Sequence, residues 1–125
     1  MQTHDWTQTA RAFGAALKPL RTGAAEPMKA FAVLARAALE PKALDVKSKE
    51  LIALAIAVAT RCDACIAFHA EAAQRQGATR EEVLETMGMA IYMGAGPSVM
   101  YAAEALEAFD QFSEPARTAA AREPA

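Results

Sequence analysis

The sequence predicts an all-α protein, a single-domain bundle of about six helices, on three observations. Ala, Leu, Met, Glu, Lys and Arg, all good helix formers, dominate it, and nowhere do apolar and polar residues alternate with the β-branched enrichment of a strand. Caps, prolines and glycines punctuate it into six helical stretches. Its 125 residues are the length of one domain, 1–125, which can bury roughly two-thirds of the surface its unfolded chain exposes.

The first helix is expected over about 7–17, stopping before Pro19, because a proline disfavours the α region for the residue ahead of it. A second opens near Pro27, a residue suited to a first helical turn, and carries Met28, Phe31, Val33, Leu34 and Leu39 as far as Pro41. Asp45 or Ser48 can cap the third, over about 46–60, whose run from Leu51 to Ala59 leaves almost no polar face and must be buried. The fourth starts at or just after Cys62 and ends before Gly77, a usual residue past a helix end. Thr79-Arg80-Glu81-Glu82 fits a capping box for a fifth helix running to about Gly94. Gly94-Ala95-Gly96-Pro97 then breaks the chain, and a sixth covers 98–112. Beyond Ser113 the tail lacks large apolar residues and is expected to fray, leaving 27–112 as the motif-bearing core.

The composition is 54% apolar, but 33 residues are alanine and eight are aromatic, so one subunit's core should be thin. Association with further copies would bury more apolar surface per chain, and a homo-oligomer is expected. A net charge of −2 without basic clusters excludes the footprint of a nucleic-acid binder. The longest apolar run, bounded by Glu50 and Arg61, is too short to span a membrane, and the stretch from Met1 to Trp6 has no signal-peptide pattern. A cytoplasmic location is therefore expected. In a reducing cytosol, two cysteines spaced Cys-x-x-Cys are more often catalytic or metal-binding than a permanent staple.

Cys62, Cys65 and His69 are where the chain concentrates its chemistry; the other histidine, His4, is near the N-terminus. On a helix these three fall on one face, with Cys65 and His69 one turn apart. A helix N-terminus stabilises a thiolate, and His69 could support it as a cation or accept its proton. Peroxide would oxidise one sulfur to a sulfenic acid, which the second thiol captures as a disulfide. Helix-end position favours Cys62 as thiolate and proximity to His69 favours Cys65; Cys65 is taken as the attacking thiol and Cys62 as the resolver. Glu50 opens the buried helix whose far end delivers the cysteines, so helix packing could bring its carboxylate to the site for proton relay.

Blander readings stand beside these. The cysteines could be small buried hydrophobes, His69 an ordinary helix residue, and Glu50 a carboxylate favouring the helix dipole. A zinc site has three of its ligands but no second Cys/His pair, and no metal or other cofactor is expected. Ile66 after Cys65 excludes haem attachment, and the lack of a βαβ pattern disfavours thioredoxin. Met87, Met89, Met93 and Met100, with Tyr92 and Tyr101, would fill the core or wall a substrate pocket.

The stretch from Lys49-Glu50 through Leu51–Ala59 to Cys62-Asp63-Ala64-Cys65 and His69 resembles the core motif of the carboxymuconolactone decarboxylase family, in its alkylhydroperoxidase AhpD-like branch. Gly77 to Val83 is similar to the turn and helix that follow in that family. The resemblance implies a helical subunit assembled into trimers or hexamers, most simply a trimer of dimers, with thiol peroxidase or disulfide reductase activity. It makes Cys62 and Cys65 the redox pair, Glu50 the relay carboxylate and His69 the histidine after the pair. It also implies a hydroperoxide or other small electrophile as substrate and a dithiol reductant, such as a lipoyl-bearing protein, as partner. One position departs: Ala64 stands where the best-known peroxidases carry a histidine, so the relay would run through water or directly between Glu50, the cysteines and His69. Two other functions remain open. One is a lyase on a lactone-like acid, using Glu50 and His69 as acid and base; the other is a non-catalytic assembly with structural cysteines.

Overall fold

The structure, a computed structural model, describes the backbone of residues 4–122 and the side chains of residues 4–114. Six helices follow one another: α1 (Trp6–Gly23), α2 (Ala25–Leu39), α3 (Val46–Ala59), α4 (Asp63–Arg75), α5 (Arg80–Gly94) and α6 (Gly96–Arg122). The all-α bundle predicted from the sequence is what the chain forms.

Helix α3 lies at the centre, packed against α4, α5 and α6, while α1 closes over α4 and α6. Leu54 and Val58 of α3, Ile66 of α4 and Val83 of α5 are fully buried, each contributing about 1.5–3 kcal/mol by leaving water. Alanines fill much of the remaining core, including Ala57, Ala67, Ala70, Ala105 and Ala108, as the composition implied.

The helix ends follow local chemistry. The Asp45 carboxylate accepts the Ser48 amide at 2.7 Å, so Asp45, not Ser48, caps α3. Thr79 and Glu82 form the expected capping box, and Lys47 pairs with Glu82 at 2.9 Å, joining the starts of α3 and α5. Gly77, at φ 81°, ends α4 in the left-handed conformation glycine adopts without cost.

Five expectations need correction. The apolar run of α3 is not buried all round: Leu54, Ala57 and Val58 are buried, but Ile52 and Ile56 are about half exposed. Helix α1 does not stop before Pro19 but runs to Gly23. Proline removes one intrahelical bond, and because Ala15 and Pro19 are both exposed, water can serve the carbonyl left without its partner. Helix α2 begins two residues before Pro27 and ends at Leu39, which places that proline among first-turn positions whose N–H groups need no helical partner. Helix α6 starts at Gly96 and its backbone stays helical to Arg122; the side chains of the tail expected to fray lie outside the described residues. Lastly, the methionine and tyrosine cluster is mostly neither core nor pocket wall. Met87 is buried, whereas Met89, Tyr92, Met93 and Met100 are exposed on this chain.

Trp6 is only 1% exposed. Its main-chain N–H donates to Gln111 Oε1 at 2.7 Å and its indole N–H to Glu107 Oε1 at 2.9 Å, pinning the start of α1 to α6. No helix among the described residues is long and apolar enough to cross a membrane.

Candidate active site

Cys62 owes its place to the way α3 ends. The Cys62 N–H donates to Ala57 O at 3.0 Å and the Arg61 N–H to Val58 O at 3.2 Å. This is the pairing of a Schellman motif, with Arg61 in the left-handed region at φ 58°. The chain reverses in two residues, and Cys62 becomes the N-cap of α4. Its Sγ accepts the Cys65 main-chain N–H at 3.2 Å. Cys62 and Cys65 are joined in a disulfide, their Cα atoms 5.2 Å apart. Both residues are partly buried, so the pair lies at the edge of the core, at the end of a helix whose free N–H groups favour negative charge on sulfur.

One turn beyond Cys65, His69 meets the carboxylate of Glu50. Its Nδ1 lies 2.8 Å from Glu50 Oε1, across a sequence separation of 19. With Glu50 ionised, Nδ1–H donates to the carboxylate, which leaves Nε2 for proton exchange. The side chains are 8% exposed for Glu50 and 34% for His69, so the pair joins the interior to the surface. Glu50 reaches His69 because α3 and α4 are antiparallel neighbours across a short turn, which sets the second turn of α3, where Glu50 lies, beside the middle of α4.

The four predicted residues therefore occupy one pair of helices: two as a disulfide at the start of α4, two as a hydrogen-bonded couple between α4 and α3. His69 also lines an open groove of about 340 Å³ between α2 and α3, together with Ala38, Leu39, Lys49 and the half-exposed Ile52 and Ile56. That wall is almost wholly apolar.

Two residues of this region were not singled out in the sequence. Lys49 lies against the groove, but its Nζ donates to Ala38 O and Glu40 O at 2.8 and 2.6 Å. Nothing in its local sequence announces this, because both acceptors are main-chain atoms of another helix. Glu104 of α6 has Oε2 buried with no hydrogen-bond partner among the described residues. Burial, reinforced by the charge of Asp63 next to Cys62, raises its carboxyl above the usual range, with His4 acting in the opposite sense. The available signal was one acid on a helix face of buried alanines, Ala102, Ala105 and Ala108.

A raised carboxyl favours the folded state only while it keeps its proton. That contribution is present below the unfolded value, roughly pH 4.3, and is lost as pH rises through the folded one. Glu104→Gln is therefore expected to melt higher than the parent at pH 7, with the gap closing toward pH 4. Melting curves across that range check it, and a pH-independent gap would remove Glu104 as the cause.

Comparison with known proteins gives concordant results. Residues 25–108 match the model of the carboxymuconolactone decarboxylase family. An uncharacterised protein of Cupriavidus necator is 43% identical over 106 residues, covering 83% of this chain and 88% of its own. Protein 4 of the cox locus of Paracoccus denitrificans is 39% identical over 82 residues, 66% of this chain and 74% of that one. Among solved structures, a carboxymuconolactone decarboxylase family protein of Legionella pneumophila superposes with a TM-score of 0.84 at 52% identity, covering 86% of this chain and 96% of its own. A Thermotoga maritima member, named as a candidate for the antioxidative response, gives 0.76 at 28% identity, covering 86% and 95%.

Proposed function

The chain belongs to the carboxymuconolactone decarboxylase family, and from that membership we propose that it is an AhpD-like thiol oxidoreductase that reduces hydroperoxides through the Cys62–Cys65 dithiol. The observation that carries this reading is the disulfide at the N-terminus of α4, one turn from an imidazole held by a buried carboxylate. The description of the Thermotoga maritima relative, a candidate for the antioxidative response, agrees with it.

In the reduced protein, the Cys65 thiolate attacks the terminal oxygen of the peroxide and the O–O bond breaks. The alkoxide leaves as an alcohol with a proton passed on by His69, and Cys65 becomes a sulfenic acid. Cys62, whose thiolate the N-terminal amides of α4 favour, attacks that sulfur; an S–S bond forms and hydroxide leaves as water with a second proton. Two thiols have lost two electrons, and the peroxide has become alcohol and water. An external dithiol, such as a dihydrolipoyl group on a carrier protein in the cytoplasm, returns two electrons and two protons. Glu50 holds His69 in one orientation and supports its charge when it carries the relayed proton.

A lyase acting on a lactone-like acid would need a cation beside His69 to hold the substrate carboxylate. Lys49 lines the groove, but two of its three donors are taken by main-chain carbonyls, which disfavours that role. Stopped-flow mixing of the reduced protein with a panel of hydroperoxides, followed by mass spectrometry, tests the proposal. Rapid formation of the intramolecular disulfide is expected, and failure to oxidise with any of them would sink it.

The exposed side chains of Met89, Tyr92, Met93 and Met100, with Phe31, Val33 and Leu34 on α2, support a closed homo-oligomer, a hexamer built as a trimer of dimers. Obligate interfaces commonly bury ~2,000 Å² or more with an apolar centre. Met93→Glu is accordingly expected to split the assembly and lower its melting temperature. Sedimentation at micromolar concentration checks this, and a monomeric parent would refute it.

A further inference from the structure

Helix α2 contributes no buried residue to the fold, and Phe31, Val33 and Leu34 are more than half exposed. Yet Ala38 and Leu39, at its C-terminal end, form one wall of the groove that His69 lines. Within one subunit α2 buries little apolar surface, so the polar bonds that cross to it from α3 help to place its C-terminal end before assembly covers Phe31, Val33 and Leu34. Lys49 supplies two of them. Its Nζ donates to Ala38 O at 2.8 Å and to Glu40 O at 2.6 Å. Ala38 is in the last turn of α2 and Glu40 is its C-cap, so the ammonium meets carbonyls that lack intrahelical partners, at the negative end of the helix dipole. The same lysine directly precedes Glu50, the carboxylate that holds His69.

Resting on the peroxidase reading, we propose that Lys49 is a positioning residue: by latching the end of α2 to α3 it fixes the apolar wall of the His69 groove, and so sets how the organic part of a hydroperoxide is seated. Lys49 does not touch the reacting atoms, and its charge serves the α2 carbonyls instead of a substrate. Hydrogen peroxide, which has no organic part, makes no use of this wall.

Lys49→Met keeps an unbranched apolar stem and removes the donors, whereas Lys49→Arg retains charge and donors. In steady-state turnover with a dithiol reductant, Lys49→Met is expected to raise KM for cumene hydroperoxide about 10-fold with little change in kcat, the pattern of lost uniform binding. Its turnover of hydrogen peroxide should match the parent, and Lys49→Arg should restore most of the KM. Hydrogen exchange on the oxidised proteins, without any peroxide, should show residues 36–42 exchanging faster in Lys49→Met and residues 51–58 unchanged. Equal losses with both peroxides, or unchanged exchange over 36–42, would overturn the latch. If the parent reduces neither peroxide the activity reading fails, and the exchange comparison alone then decides for or against Lys49. Should Lys49→Met not fold, Lys49→Leu, which also lacks donors and charge, carries the same comparison.

Discussion

Cys65→Ser is expected to abolish hydroperoxide turnover, by at least about 10³-fold, because a serine hydroxyl is not ionised at neutral pH and its oxygen cannot take up the peroxide oxygen as sulfur does in a sulfenic acid. Cys62→Ser should be as inactive in steady state but different in a single turnover. It should consume one equivalent of peroxide and stop, leaving a Cys65 sulfenic acid that a dimedone-type probe labels. Neither change should unfold the chain. Cys62 is the N-cap of α4 and serine is a preferred residue there, while Cys65 is only partly buried. The two variants together assign the roles: a trapped sulfenic acid in Cys65→Ser instead would exchange attacker and resolver. Wild-type peroxide reduction in both would end the redox reading.

Glu50→Gln should slow thiol oxidation by roughly 10²-fold, the usual contribution of a positioned acid or base. Glutamine keeps the shape and can still accept from His69 Nδ1, but it removes the charge that the 2.8 Å contact places beside the imidazole. With a carboxylate this well buried, the replacement relieves a desolvated charge as it removes a useful one, so stability should change far less than rate. His69→Asn probes the same couple from its other side. Both variants should alter the pH–rate profile of thiol oxidation, and unchanged profiles would leave Glu50 and His69 with packing roles only.

The two halves of the site differed in how far they could be read from the chain. Cys62, Cys65 and His69 lie on one helix, where spacing sets neighbourhood, and the N-cap position of Cys62 follows from a turn of two residues after α3. Glu50 was legible as a candidate from its place at the head of an apolar run, but its contact with His69 spans 19 residues and exists only once α3 and α4 have packed. The family resemblance drawn from the same motif agrees with the match over residues 25–108.

Caps, turn residues and helical spacing act over about one turn, and the sequence alone determined what depends on them: six helices, the start of α4 at the cysteines, and the capping box at Thr79. Contacts between helices depend on which side chains fill the space between packed surfaces, and tertiary structure decided those. Trp6 became a core residue because its partners are 101 and 105 residues away on α6. Lys49 became a tie to α2 because its acceptors are main-chain carbonyls, which every residue carries and no sequence pattern marks. Met89, Tyr92, Met93 and Met100 stayed outside because alanines, aligned across closely packed helices, had already filled the interior.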